Sequence, residues 1–284
     1  MKKSVTLVFV LFAAASLGFA QKFSIKLTGG LNYAGGGDFS SGLQGQMDYL
    51  KAEYNVTGAY RFPNLGINAS GEFIFHFTPN IGLGLGVGYF QHVKEGKVAY
   101  DFSFVKVEEM IKPKTSVIPI TANIHYLLPV SSKINLDFSA GGGAYFTTLN
   151  WDYRSDVDII GLKSYDQSTF KSTKTGFGLQ AGVGLEYALS AKIAIGLNIV
   201  GRCAQVSGFK GAWTDSGGGD LWSYSDSGSD RLPWYYDWKL PGGHSYPQIV
   251  FQEDQPAGST VANARLAKLI LSGFSVTIGL KIDL

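Results

Sequence analysis

The chain has 284 residues, with 24 Lys and Arg, 22 Asp and Glu, and one cysteine, Cys203. Lys2 and Lys3, the apolar run from Val5 to Leu17, and Gly18-Phe19-Ala20 read as a cleaved secretory signal over residues 1–20. The exported part, residues 21–284, then carries 24 − 2 = 22 bases against 22 acids, and no net charge. That balance argues against a nucleic-acid partner, which calls for a basic excess. A lone cysteine excludes an internal disulfide, and its position far from the cleavage point argues against a lipid anchor. After Ala20 no apolar run is long enough for a membrane-spanning helix.

Eight segments alternate apolar with small or polar residues. In chain order they are Phe23 to Tyr33, Asn68 to Phe77, Ile81 to Tyr89, Ile118 to Tyr126, Ile134 to Phe146, Phe177 to Tyr187, Ile193 to Ile199 and Phe274 to Leu284. A period of two places each apolar set on one face of a strand. Segments of about ten residues suit tilted strands that cross a bilayer.

Segments two and three, four and five, and six and seven are joined by short turns: Thr78-Pro79-Asn80, Pro129 to Lys133, and Ser190 to Lys192. The other connections are long: Ala34 to Gly66, His92 to Ser116, Thr147 to Thr175 and Gly201 to Gly273. This sorting is the habit of outer-membrane barrels, whose long loops face outside and short turns face the periplasm. Tyr33, Tyr89 and Phe146 precede long connections, while Phe77, Tyr126 and Tyr187 precede short ones. Alternating strand direction sorts them into two interfacial belts. The pattern predicts an all-β fold, an up-and-down antiparallel transmembrane barrel of eight strands, in one domain over residues 21–284. Ten strands is the alternative, because Tyr54, Val56, Tyr60 and Phe62, and Val98, Tyr100, Phe102 and Phe104, also alternate. The preferred reading makes these extra segments hairpin arms above the membrane. Pro119, inside segment four, predicts a bulge.

Glu72 to Tyr89 (EFIFHFTPNIGLGLGVGY), Ile118 to Tyr126 (IPITANIHY) and Phe274 to Leu284 (FSVTIGLKIDL) resemble the small outer-membrane β-barrel proteins, the group that includes OmpX-like and OmpW-like barrels. The resemblance implies the bacterial outer membrane, contact with its lipids, and recognition of Phe274 to Leu284 by the barrel-assembly machinery. Such terminal strands often end in Phe, where this one ends in Leu284. One fold hosts many functions. The expected role is a non-enzymatic one, envelope-structural or binding through the loops. The alternatives are an OmpW-like channel for small apolar solutes and a lipid-modifying enzyme.

Three groups of residues are candidates for that role. Lys26, Glu72, His76, His125, Asp137, Glu186, Arg202 and Lys281 share the inward face of the predicted strands, mixing both signs. Opposite charges withdrawn from water must pair, so a mutually neutralising plug is expected. In it Glu72, Asp137 and Glu186 meet Lys26, Arg202 or Lys281. Glu186, beside a short turn, is expected to be the wettest acid. The second group is Trp213, Trp222, Tyr224, Trp234, Tyr235, Tyr236 and Trp238 in the last long connection. Such rings anchor binding surfaces, here for an extracellular ligand, or form a small core of the loop's own. The third is Asp215, Asp220, Asp226 and Asp230. Their spacing admits Ca²⁺, but the chain lacks the full calcium-loop pattern. Solvated turn residues are the expected reading, and neither a metal nor a cofactor is assigned. Of the loop histidines, His92 and His244, neither has an evident nucleophile beside it, so no catalytic residue is named.

Overall fold

A computed structural model of the chain describes residues 22–284, apart from Leu221 and Gly242. The expected signal segment lies outside the described residues. All eight alternating segments form strands. They are β1 (Lys22–Ala34), β3 (Leu65–His76), β4 (Ile81–Val93), β6 (Val105–Pro129), β7 (Ile134–Ile159), β8 (Leu162–Ala188), β9 (Ile193–Ser207) and β15 (Gly273–Asp283). Each pairs antiparallel with its neighbour in the order β1, β3, β4, β6, β7, β8, β9, β15, and β15 pairs back onto β1. The hydrogen-bonded ring is therefore closed by eight strands and leaves no free edge along this cycle.

Period-two alternation sorts the faces. Leu27, Leu85, Ile124, Leu197 and Ile278 point outward and are exposed. Lys26, Asn123, Asp137 and Asn198 point inward and are buried. The apolar set thus forms a continuous outer band, far larger than the patches a water-soluble monomer exposes. The ring residues flagged as belts are all on this outer face: Tyr33, Tyr89 and Phe146 toward one end, Phe77, Tyr126 and Tyr187 toward the other. The three short turns share one device. Thr78, Ser131 and Ser190 each accept backbone N–H bonds from the residues two and three positions on, at 3.0–3.3 Å. A hydroxyl that closes its own turn fixes the register of both flanking strands.

At the opposite end the expected long loops are largely replaced by structure. β6, β7 and β8 run for 25, 26 and 27 residues. At ~3.3 Å per residue each is roughly 85 Å long, more than twice what a bilayer span takes. Directly or through one another, their outer halves carry further strands: β2 (Asn55–Ala59), β5 (Gly96–Phe102), β10 (Gly211–Gly219), β11 (Ser223–Lys239), β12 (Ser245–Gln252) and β13 (Val261–Leu266), while β14 (Lys268–Ile270) pairs with β9. Strands β2 and β5 pair with each other, and β5 with β6, so neither enters the ring. Tyr60 and Phe62, expected to continue the first of these arms, leave it and are buried in the core.

A helix, α1 (Asp38–Glu53), occupies most of the first long connection, where a loop was expected. Phe39, Leu43, Met47 and Leu50 recur at helical spacing and are buried. Phe39 meets Phe62, Trp151 and Phe209 at ring distances of 6.1–6.2 Å, and Trp151 and Phe170 meet Phe251. The helix begins at Gly37, whose φ of 61° an L side chain rarely adopts. Asp38 in its first turn pairs with Arg265 and accepts the Lys268 N–H, which pins the helix start to the segment from β13 to β14. Together α1 and the strand extensions make a second, apolar-cored body, called the head below.

The expected bulge at Pro119 is absent. Val87 pairs with Ile120 and Phe90 with Val117, the same register on both sides, and only the two intervening pairs are missing from the ladder. Proline removes a donor. Here the ladder loses bonds without gaining a residue.

Candidate functional site

Inside the ring, the inward residues build one connected network toward the short-turn end. Lys26 Nζ donates to Asp137 at 2.7 Å and lies 3.8 Å from Glu186. Lys281 Nζ donates to Glu186 at 2.9 Å. His125 sits between two acids, with Nδ1 2.9 Å from Asp137 and Nε2 3.2 Å from Glu72. The Nε2 contact is a charge contact at an angle too poor for a hydrogen bond. A lone pair on either ring nitrogen would face a carboxylate, so the arrangement calls for the imidazolium, which carries N–H on both. Asn123 donates to Glu72, Gln180 donates to Asn123, and Tyr145 donates to Gln180. In the layer nearest the short turns Ser24 joins His76 and Asp283 at 2.8 and 2.6 Å. Gly84 makes room for this packing: a methyl there would lie 2.4 Å from Glu72 Oε1 and 2.8 Å from His125 Nε2.

Three expectations about this network need correcting. Arg202 faces the interior but meets no carboxylate among the described residues. It donates from Nε to the Leu271 carbonyl and lies over the rings of Phe90 and Tyr145. Glu72 is paired with His125 and Asn123 rather than with a lysine or arginine. Glu186, expected to be wet, is only 2% exposed, as buried as Asp137 at 3%. Lys281, two strands away on β15, reaches across to its carboxylate, which proximity to a turn could not reveal. Above the charges, Phe90, Val117, Tyr145, Leu149, Phe209 and Leu271 join the buried residues of α1 in one apolar cluster.

The aromatic group divides in two. Trp213 is buried, stacked under Arg231 at 3.6 Å, with its indole donating to Asp230. Trp234 donates to the Gln252 carbonyl, Tyr235 packs against Arg265, and Trp238 meets Tyr49 of α1 at 4.7 Å. Tyr236 is half-buried on the same strand. These rings are internal packing of the head. Trp222 and Tyr224 alone of the group are exposed, stacked 5.7 Å apart, with the Tyr224 hydroxyl donating to Asp166.

They belong to a larger feature that the sequence reading missed. Three hairpin tips stand side by side at the far end of the head: β5–β6, β7–β8 and β10–β11. The pairs Val105–Ile159 and Ser164–Gly219 place them within about two residues of level. Phe102, Phe104, Ile159, Ile160, Leu162 and Trp222 project from them and are exposed. Ile160 is 78% exposed and has φ of 52°, in the left-handed region. Tight hairpins favour Asn, Asp or Gly there, and a β-branched residue is an outlier. The signal was present as Ile-Ile-Gly-Leu between two alternating runs, but it could be read only once those runs were known to be a hairpin.

The remaining candidates are the aspartates and the two loop histidines. Asp226 and Asp230 lie on β11, Asp226 opposite Asp215, and Asp215 is held by Arg231 and Ser168. Among the described residues no three acids, histidines or cysteines are grouped as metal ligands would be. His92 is buried at the head end of the ring, and His244 lies in the connection from β11 to β12.

Residues 19–200 match the family model described as outer membrane protein beta-barrel domain, which is more than half of the chain. The chain belongs to that family. Among solved structures, Neisserial surface protein A is 7% identical, with a TM-score of 0.32 over 92% of this chain and 96% of that one. A major outer membrane protein from Thermus thermophilus is 12% identical, with a TM-score of 0.41 over 94% of this chain and 100% of that one. No curated protein matches.

Proposed function

We propose that the protein is a closed, non-enzymatic barrel of the bacterial outer membrane that crosses with its eight ring strands and holds the head outside the cell. In this reading the head is a contact surface, and the short turns face the periplasm. The observation that carries it is the row of level hairpin tips. The chain keeps an exposed, conformationally strained Ile160 and an exposed Phe104 where polar turn residues would be more stable. Such a retention fits recognition of an apolar partner surface, with Trp222 and Tyr224 at one flank.

Closure of the interior supports display over transport. A solute would have to pass both the paired charges and the aromatic layer beneath α1. The catalytic alternative finds no support in His92, whose Nε2 faces no hydroxyl or carboxylate partner among the described residues.

The topology is tested with single cysteines on a Cys203→Ser background, using a maleimide that cannot cross membranes. In intact cells Gly161→Cys at a tip should label and Asn80→Cys in a short turn should not. Labelling at Asn80, or none at Gly161, contradicts the reading.

A further inference from the structure

We propose that the ring interior contains a binding site for one small oxyanion, a carboxylate or a phosphate, held by Arg202. The site is a cavity of about 120 Å³ between the charge network and the aromatic layer. A cavity of this size has room for several waters, or for a small oxyanion with part of its hydration.

The charges around the cavity do not cancel without a ligand. Lys26, Lys281 and the imidazolium of His125 balance Glu72, Asp137 and Glu186, three against three. Asp283 lies apart, bonded to Ser24 at the short-turn end. Arg202 is then the one interior cation among the described residues with no acid opposite it. The Phe90 and Tyr145 rings and the Leu271 carbonyl engage the guanidinium, but its buried Nη2 has no acceptor. The two rings and the one carbonyl give this cation no counter-charge, and arginine presents a fork suited to two oxygens.

The other cavity walls fit the same ligand. Ser70, Ser275 and Thr277 add hydroxyls. Asn68 Oδ1 is also unpaired, and its amide can turn to present its NH₂ instead. Glu72 and Asp137 line the cavity too, but His125 and Asn123 engage the first carboxylate, and Lys26 and His125 the second. The inference does not depend on the proposed display role.

The ligand is offered during folding, so that it can enter as the ring closes around Arg202. The full chain is unfolded in urea and refolded into maltoside micelles, which contain no phosphate. Sodium phosphate, acetate or chloride is supplied at matched ionic strength. Phosphate or acetate should raise the urea midpoint saturably, and chloride should not. Arg202→Gln should abolish that rise. If Arg202→Gln does not refold, Asn68→Ala should refold and show a weaker rise. A midpoint indifferent to all three anions, an equal response to chloride, or a full response in Arg202→Gln overturns the proposal. A rise on adding phospholipid but not free phosphate would assign the site to a lipid headgroup and overturn the free-anion reading.

Discussion

Asp137 and Glu186 carry the closure of the ring interior, because each is almost fully buried and bonded to a lysine. Removing either acid leaves a buried ammonium without its partner, at a cost of about 3–5 kcal/mol. Glu72 meets an imidazolium and an amide instead, and its side chain is 15% exposed, so water can reach what it leaves behind. Urea unfolding in lipid vesicles should therefore rank Asp137→Ala and Glu186→Ala well below Glu72→Ala in stability. Equal midpoints for all three would refute the paired-charge network. In the head, Tyr60 and Tyr100 both donate to Glu109. Burial, and then the charge of Glu109, raise both phenols above the ordinary value of 10.0. A phenol raised on folding stabilises fully below its unfolded value, and that stability is lost as pH climbs from about 10 toward the folded value. Phenolate absorbance from these two should appear only together with unfolding of the head. A smooth titration near pH 10 in the folded protein would contradict the assignment. Ile160 gives a third residue-scale test. Ile160→Asn should stabilise the protein by about 1 kcal/mol, since Asn tolerates the left-handed backbone that isoleucine does not. Unchanged or lower stability would remove the argument that this side chain is retained for contact.

At the scale of elements, α1 is where local sequence and tertiary demand disagree. Gly42 and Gly45 weaken a helix interior by roughly 1 kcal/mol each relative to Ala. Their lack of side chains lets β12 approach: a methyl on Gly45 would lie 2.0 Å from the Pro247 carbonyl oxygen, and one on Gly42 2.9 Å from Ile249 Cβ. Gly45→Val should therefore lift β12 from α1, making residues around 245–252 cleavable by protease while the ring keeps its heat-sensitive gel mobility. Unchanged cleavage would show that the helix does not hold β12. The helix was legible in principle, since Phe39, Leu43, Met47 and Leu50 follow helical spacing. The two glycines and the surrounding Ser and Gln residues dilute that stripe. The ring strands were easier to read because lipid-facing and interior-facing residues differ so sharply along Ile81 to Tyr89 and Phe274 to Leu284. The outer halves of β6 to β8 lose that contrast, because one face packs on the head core and the other meets water. Stretches such as Thr147 to Thr175 then read as polar loop.

At the scale of the whole molecule, the closed interior and the extended head form one account. The inward register of Lys26, His125, Asp137, Glu186 and Lys281 followed from alternation alone. Their pairing, and the isolation of Arg202, depend on how side chains from strands distant in sequence meet across the ring. The plug above them depends on a helix and a set of hairpins from three separate connections, which no local pattern could assemble. In the proposed reading this barrel displays a head and passes nothing through its interior. The most direct measurement is current across a planar bilayer holding the refolded, oriented protein in salt solution. The account predicts no steady conductance above the bare membrane. A stable ohmic current through the folded wild type would contradict it.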